Sequence, residues 1–414
     1  MSMKNLTYSL LMISLFTFSA CDNDDNPTVV AVDPDPVSEN INVTGMLTGT
    51  NNWTSDNIYV LNQKVVVDAG ATLNIECGTI IKGSAGTGSL ASALVIARGG
   101  TLNANGTAVC PIIMTSESDN IEVGQSAGTN LGINDRGLWG GLIVLGYAPS
   151  SFSGDVSEIQ IEGIPANDTF GLYGGNDASD NSGSITYVSI RHGGALIGED
   201  NEINGLTLGG VGNGTVIDNI EVVANTDDGI EFFGGTVNAS NLIVWGQGDD
   251  GLDIDQAYSG IIDNAVVVLG DVSDHALEID GPEGSMNGQF ELRNITIIGS
   301  QVTEDGEYAD YRSNAMGYTT NLYAVNFKAS SDIEIDNDGV ANNYNSGLLS
   351  FGTFEIVVPE GATLESIFNN RSENVTVDGF GSTASSIAAH ENTVGANTAN
   401  LAWSYSNTAA ALGW

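Results

Sequence analysis

Short apolar runs bounded by glycine, asparagine or aspartate recur along the middle of this chain about every two dozen residues. Asn219-Ile220-Glu221-Val222-Val223 returns as Asn241-Leu242-Ile243-Val244-Trp245, then as Asn264-Ala265-Val266-Val267-Val268 and Asn294-Ile295-Thr296-Ile297-Ile298. The asparagines are 22, 23 and 30 positions apart, the last step widened by a Gly-containing insertion at 281–288. A second run keeps phase with the first. Asn204-Gly205-Leu206 is followed by Asp228-Gly229-Ile230, Asp250-Gly251-Leu252 and His275-Ala276-Leu277, at steps of 24, 22 and 25.

Such a period is too short for two packed helices, and runs this short and β-branched read as strands. A coil with two or three strands per turn meets the pattern. Equivalent strands stack as parallel sheets, and each turn buries its inward residues against its neighbours. In Ile230-Glu231-Phe232 and Leu252-Asp253-Ile254, alternation sends the apolar residues one way and the acids the other. Asparagine tolerates left-handed backbone, and stacked asparagines can hydrogen-bond along the ladder. A leucine-rich repeat has a similar period but needs a leucine framework and helical segments missing here. Looser runs at 65–73, 93–102, 142–145, 159–161 and 187–190 extend the pattern backwards. Weaker ones at 333–335, 348–351 and 357–358 extend it forwards. The expectation is an all-β fold, a single parallel β-helix over 41–414, with Trp403, Tyr405 and Trp414 in a cap over the last coil.

Composition sharpens this in two ways. The chain has 53 Gly but 8 Pro among 414 residues, which suits many tight turns between short strands. Its 52 acidic residues face 10 basic ones, a net charge of −42. Nucleic acid is therefore excluded as a partner, because phosphate binding needs clustered Lys and Arg. Carboxylates in such excess suit either a soluble, self-repelling surface or Ca²⁺, which prefers oxygen ligands.

The N-terminus reads as an address. Lys4, an apolar run at 6–18 and Ser19-Ala20-Cys21 have the order of a lipoprotein signal peptide, 1–20, with Cys21 as the lipidated residue. The run is too short to span a bilayer, so lipid attached to Cys21 would be the anchor. Residues 21–40 form an acidic, Pro-containing tether. Outside the cytoplasm, Cys77 and Cys110 suggest a disulfide; the alternative is two buried thiols. A bridge closing about 33 residues would stabilise by roughly 3–4 kcal/mol.

Several stretches together resemble β-helix lipoproteins of the Bacteroidetes cell surface. They are Asp22-Asn23-Asp24-Asp25-Asn26, Ala69-Gly70-Ala71-Thr72-Leu73, Arg136-Gly137-Leu138-Trp139-Gly140-Gly141, Tyr173-Gly174-Gly175-Asn176-Asp177 and Asp227-Asp228-Gly229-Ile230-Glu231-Phe232. The resemblance implies the right-handed parallel β-helix of the pectin lyase-like superfamily, held at the outer face of the outer membrane. It carries no established activity with it.

The acids of the repeat are the candidate chemistry. Asp227, Asp228 and Glu231 lie one coil from Asp249, Asp250, Asp253 and Asp255, and the next coil offers Asp274, His275, Glu278 and Asp280. Strands about 4.8 Å apart would stack these carboxylates, which then raise one another's pKa or recruit a cation. Asp228, Glu231, Asp250 and Asp253 are one candidate Ca²⁺ set. Asn176, Asp177 and Asp180 form a second, in a loop with Ca²⁺-loop spacing but no distal Glu. The order Asn225-Thr226-Asp227, Asp249-Asp250, Asp274-His275 resembles the active-site succession of polygalacturonases. That resemblance implies Asp227, Asp249 and Asp250 as acid/base residues, with Asp228 beside them, and His275 as a helper. Asp274 stands where that family has glycine, and the Arg-x-Lys pair that would hold an acidic sugar is missing. The competing reading is that Asp-Gly makes the turn of each coil.

Trp139, Tyr173, Phe232, Phe233, Trp245 and Tyr258 either pack or offer platforms for sugar rings. His192 and His390 stand alone, and a zinc site is not expected. Three functions fit: a surface lipoprotein binding or scaffolding glycan or another envelope component, a Ca²⁺-assisted polysaccharide hydrolase or lyase, and an adhesin or structural module.

Overall fold

The computed structural model describes residues 39–165, 168–197, 202–410 and 412. Cys21, the signal-like segment, most of the tether and Trp414 lie outside the described residues.

Three strands make each coil, and each strand pairs in parallel with its counterparts in neighbouring coils. One coil shows how. Val216–Val223 is a single strand with a bend at Asn219; its first half belongs to one sheet and its second half to another. Ile230–Phe233 adds the third sheet, and Asn238–Trp245 begins the next coil in register. The first sheet runs from Thr50–Trp53 to Leu349–Phe351, the second from Asn40–Leu47 to Ala384–Ser386, and the third continues to Phe368–Asn370. The result is a right-handed parallel β-helix, the hand that parallel crossovers take.

The bend is where asparagine matters. Asn219, Asn241, Asn264, Asn294 and Asn321 all have φ between 54° and 70°, a conformation Asn tolerates better than most residues. Their side chains form the expected column. Asn264 Nδ2 donates to Asn241 Oδ1 at 2.7 Å and Asn321 Nδ2 to Asn294 Oδ1 at 3.0 Å. At the other steps Asn241 donates to Asp218 and Asn294 to Asp263. The column spends no apolar surface, yet it pins the register of two sheets at once.

Inside, the core is a stack of aliphatic layers. Ile230, Leu252, Leu277, Ala309 and Ile333 lie one above another, as do Phe232, Ile254, Ile279, Tyr311 and Ile335, all buried. Each fully buried side chain of this size contributes about 1.5–3 kcal/mol of transfer free energy. A nine-residue helix interrupts the coils. Asp338–Ser346 is capped by the Asn337 side chain, which accepts from Gly339 and Val340, and ends at Gly347 with φ 76°. This insertion is why the periodicity weakens after Tyr323.

Trp403 and Tyr405 do not close the last coil. The segment 391–409 runs back along the outside of the second sheet instead, fastened coil by coil to one outward column. Glu355 accepts from Thr393 and Val394, and Thr296 from Ala396. Leu401 packs on Ile243, Val266 and Val268. Tyr405 lies under Arg191 at 4.4 Å, and Ser406 donates to Glu221. The physical reason is visible in the column itself: Ile243 and Val266 point outward and need cover. Ile58, Ile80 and Ile113, further up the same sheet, are covered by Ile121 from another loop.

The two cysteines expected to pair stand side by side. Cys77 and Cys110 are both free thiols in hydrogen-bond contact. A short antiparallel bridge between Thr107 and Cys110 sets that sulfur against Gly78, 3.0 Å from where a Cβ would stand. Burial, and then the hydrogen bond with Cys77, push the Cys110 thiol up to about 11.

Candidate functional site

One outward column of the third sheet runs through the whole molecule. In register it reads Met46, Val66, Val95, Ile143, Thr207, Glu231, Asp253, Glu278, Asp310, Glu334 and Asn369. Val66, Val95 and Ile143 are covered by excursions from the coil, whose Phe152, Ile161, Ile164 and Tyr173 pack on them. After Thr207 the column turns acidic for five consecutive coils. Like charges directly opposite on paired strands are destabilising, so this face is held against its own repulsion.

Two flanking columns deepen the charge. On one side are Asp228, Asp250, His275, Glu307 and Asp332, one per coil at the turn before the strand. On the other are Asp255, Asp280, Arg312, Asp336 and Arg371. The cations set into this carpet are His275, Arg312 and Arg371. His275 Nδ1 lies 2.9 Å from Asp250 and 3.4 Å from Glu278. Arg312 bridges Glu278 and Asp280, and Arg371 meets Glu334. Burial works against the imidazolium, but the hydrogen bond and charge of Asp250 raise His275 to about 9, so it is cationic at neutral pH.

The sequence-expected residues fall into two groups. Asp228 and Asp250 are buried and serve the coil: Asp228 Oδ1 accepts the Asp250 amide at 3.0 Å, and Asp250 Oδ1 the His275 amide at 2.8 Å. They staple one turn to the next, as the Asp-Gly turn reading expects. Asp227 and Asp249 reach the surface beside them, the latter exposed. Burial first, then neighbouring acids, raise Asp227 to about 7 and Asp249 to about 6. Oxygens of Asp227, Asp228 and Asp249 lie within 4.8 Å of one another. That is closer than the roughly 6.5–9.5 Å of an inverting carboxylate pair.

Of the expected set Asp228, Glu231, Asp250 and Asp253, three converge, while Asp250 groups with His275 and Glu278 instead. Asp228, Glu231 and Asp253 each offer an oxygen within 4.8 Å of the others. Burial, reinforced by Asp253, raises Asp228 and Glu231 well above the carboxylate range. Glu231 accepts from Asn204, and Asp253 Oδ1 is buried without a hydrogen-bond partner. All-oxygen donors of this kind fit a hard divalent cation such as Ca²⁺. In the second loop Asp177 instead accepts from the Ser179 amide and hydroxyl at 3.0 and 2.8 Å, an Asx turn. Asp180 is half-buried and raised by burial first.

Other candidates are absorbed by packing. Trp139, Tyr173, Phe232, Phe233 and Tyr258 are buried, and Trp245 packs on Tyr405, so none is a sugar platform. His192 is buried against the Asp135 carbonyl. Arg191 is enclosed by Ser189, Ser126 and Tyr405, and Arg293 is paired with Asp263 and Glu291; neither faces the acidic columns. Asp310, Glu334, Glu307 and Asp332 escaped the sequence reading because irregular insertions and the wide spacing at 281–308 hid their phase. The signal available was the alternation in Ala309-Asp310-Tyr311 and Ile333-Glu334-Ile335, which matches Ile230-Glu231-Phe232.

The three parallel sheets define a right-handed parallel β-helix. The pectate-lyase-like β-helix domain family matches residues 45–408, and the chain belongs to that family. Among solved structures it is similar to a pectin methylesterase from Aspergillus niger, at 12% identity over 87% of this chain and 88% of that one, with a TM-score of 0.28. A comparison with curated proteins finds no match.

Proposed function

We propose that this protein is a lipid-anchored β-helix of the outer cell surface. It binds or scaffolds a glycan or another envelope component through the acidic face of its third sheet, with Ca²⁺ neutralising that face. The observation that carries this reading is the column Glu231, Asp253, Glu278, Asp310 and Glu334, five acids in successive coils. A bare carboxylate ladder repels anionic polymers. The same ladder loaded with Ca²⁺ bridges them, because the ion accepts oxygen ligands from both partners. The N-terminal pattern ending in Cys21 supports the lipid anchor.

The test uses purified protein on arrays of acidic and neutral glycans, with Ca²⁺ and with EDTA. Binding that needs Ca²⁺ and is lost in Asp253→Asn, without release of product, supports the reading. Ca²⁺-independent binding, or none, overturns it. For the anchor, Cys21→Ser should move the protein from the membrane to the soluble fraction, and protease added to intact cells should digest the wild type.

A second reading has one observation in its favour. Asp227 and Asp249, raised to about 7 and about 6, could supply a protonated and an ionised carboxyl between those two values. Polysaccharide hydrolysis abolished by Asp227→Asn and Asp249→Asn, in folded protein, would establish it. For the lyase variant of this idea, Arg191 and Arg293 are paired elsewhere, and the arginines that stand beside the acids are Arg312 and Arg371.

A further inference from the structure

We propose that Cys77 and Cys110 form an oxidative modification site: a dithiol on neighbouring coils that a disulfide oxidant converts to a covalent clasp and a thiol reductant reopens. It stands outside the acidic columns and is independent of whether a glycan binds.

The register brings the pair together. Ile80–Gly83 pairs with Ile112–Ser116 at a constant offset of 33 positions, Ile80 opposite Ile113 and Gly83 opposite Ser116. Cys77 and Cys110 are also 33 positions apart, so they hold equivalent places just before those two strands. One strand earlier the offset is only 29, with Thr72 opposite Thr101. The added residues make a tight turn in which Thr107 and Cys110 exchange both amide hydrogen bonds, at 3.1 and 3.0 Å. That turn returns Cys110 to phase. Its sulfur stands 3.0 Å from where a Cβ on Gly78 would lie, and the two thiols are in hydrogen-bond contact. Glycine at 78, with φ 81°, leaves the room that the sulfur fills. Paired strands about 4.8 Å apart fall inside the roughly 4.4–6.8 Å of Cα separation that a disulfide spans. Both cysteines are half-buried, and Val109 at the tip of the turn is 95% exposed, so a soluble oxidant reaches them.

The exchange balances with one oxidant. Cys110, pushed up to about 11 by burial and then by its contact with Cys77, stays protonated at neutral pH, so Cys77 is the attacking sulfur. Its Sγ bonds to one sulfur of the oxidant's disulfide, that S–S bond breaks, and the other half leaves as a thiol carrying the Cys77 proton. Cys110 then gives up its proton, attacks Cys77 Sγ and expels the remaining half as a second thiol. The protein loses two electrons and two protons, and the oxidant's disulfide takes up both. The new bond closes one entire coil, 77–110, into a ring. It does so near the end of the stack that most needs it. Among the described residues, Asn40–Leu47 and Thr50–Trp53 each pair on one side only, and Ile41, Val43 and Leu47 are only partly buried. A solenoid frays from such an end, and a covalent ring stops the opening before it spreads.

The experiment uses the full chain carrying Cys21→Ser, so that Cys77 and Cys110 are the two remaining thiols. Reduced protein is incubated with oxidised glutathione, then assayed for free thiols and digested with trypsin, which cuts between the pair at Lys82 and Arg98. We expect both thiols to vanish, the intact mass to fall by two hydrogens, and one cross-linked peptide pair to join Cys77 to Cys110. The oxidised form should melt several degrees above the reduced one. Its amides in Thr72–Ile75 and Ile80–Gly83 should exchange more slowly. Cys110→Ser should instead take up one glutathione and show no such gain. Two thiols that still titrate, glutathione adducts without a cross-link, or a bond between two chains would overturn the site. A cross-link that leaves melting and exchange unchanged would overturn the clasp.

Discussion

The same outward column of the third sheet is apolar in its first half and acidic in its second, on one unbroken ladder. Val66, Val95 and Ile143 are covered by loops that carry Phe152, Ile161 and Tyr173, whereas Glu231, Asp253, Glu278, Asp310 and Glu334 are covered mainly by one another and by the columns beside them. Backbone pairing is alike in both halves, so the ladder itself does not set the chemistry of the face. What differs is the partner: protein side chains for the first half, and for the second His275, two arginines and, on our reading, metal ions. The first half is a packed interior turned outward. The second is a surface kept unsatisfied, and unsatisfied groups are where function is found.

The largest effect should come from moving the acid into the wrong half. Ile143→Asp buries an unpaired charge beneath the loops, where Ile143 is 1% exposed. We expect a loss of about 3–5 kcal/mol, or failure to fold, read from the urea midpoint. The reverse exchange, Asp253→Val, relieves repulsion from Glu231 and Glu278. In EDTA it should stabilise by about 1–3 kcal/mol, and in Ca²⁺ the gain should shrink or reverse. Equal gains in both buffers would mean that the ladder holds no ion.

Titration separates the halves more gently. Asp255 is raised to about 7, and Asp280 and Asp310 to about 6, in each case by burial first. An acid whose folded pKa lies above its unfolded value binds its proton more tightly when folded. Its contribution is complete below about pH 4 and is lost as pH rises through about 6–7. His275, raised to about 9, loses its contribution between about pH 6.5 and 9. Both shifts have the same sign, so Tm in EDTA should be higher at pH 5 than at pH 8. Added Ca²⁺ should narrow the gap at pH 8, as scanning calorimetry would show. A Tm that rises with pH in EDTA would contradict the buried-acid account. The smallest effect is expected at the open start of the column, where Met46 is 53% exposed: Met46→Glu should change stability by less than about 0.5 kcal/mol.

Much of this architecture was legible beforehand because the β-helix repeats its physics. Asn219, Asn241 and Asn264 announce a recurring bend, and Ile230-Glu231-Phe232 announces which residues face in. The Asp228 and Asp250 staples follow from turn chemistry. What escaped was everything set by long-range cover. The C-terminal segment lies on Ile243 and Val266 rather than over the last coil. Neither its aromatics nor the outward apolar residues name each other in the sequence. Cys77 and Cys110 come into contact across the coils, as their spacing suggested. The helix Asp338–Ser346, with its Asn337 cap, was hidden inside a stretch read only as weakened strand.

The sequence by itself determined the period, the direction each strand residue faces and the excess of negative charge, since these depend on neighbours a few positions away. Only the tertiary structure decided that Glu231 through Glu334 form one continuous column, that Asp253 keeps an unpaired oxygen, and which outward faces are roofed by loops. Those outcomes depend on how insertions of different length bring distant coils into register. Register is settled by the cooperative burial of the whole stack, which no local run of residues encodes.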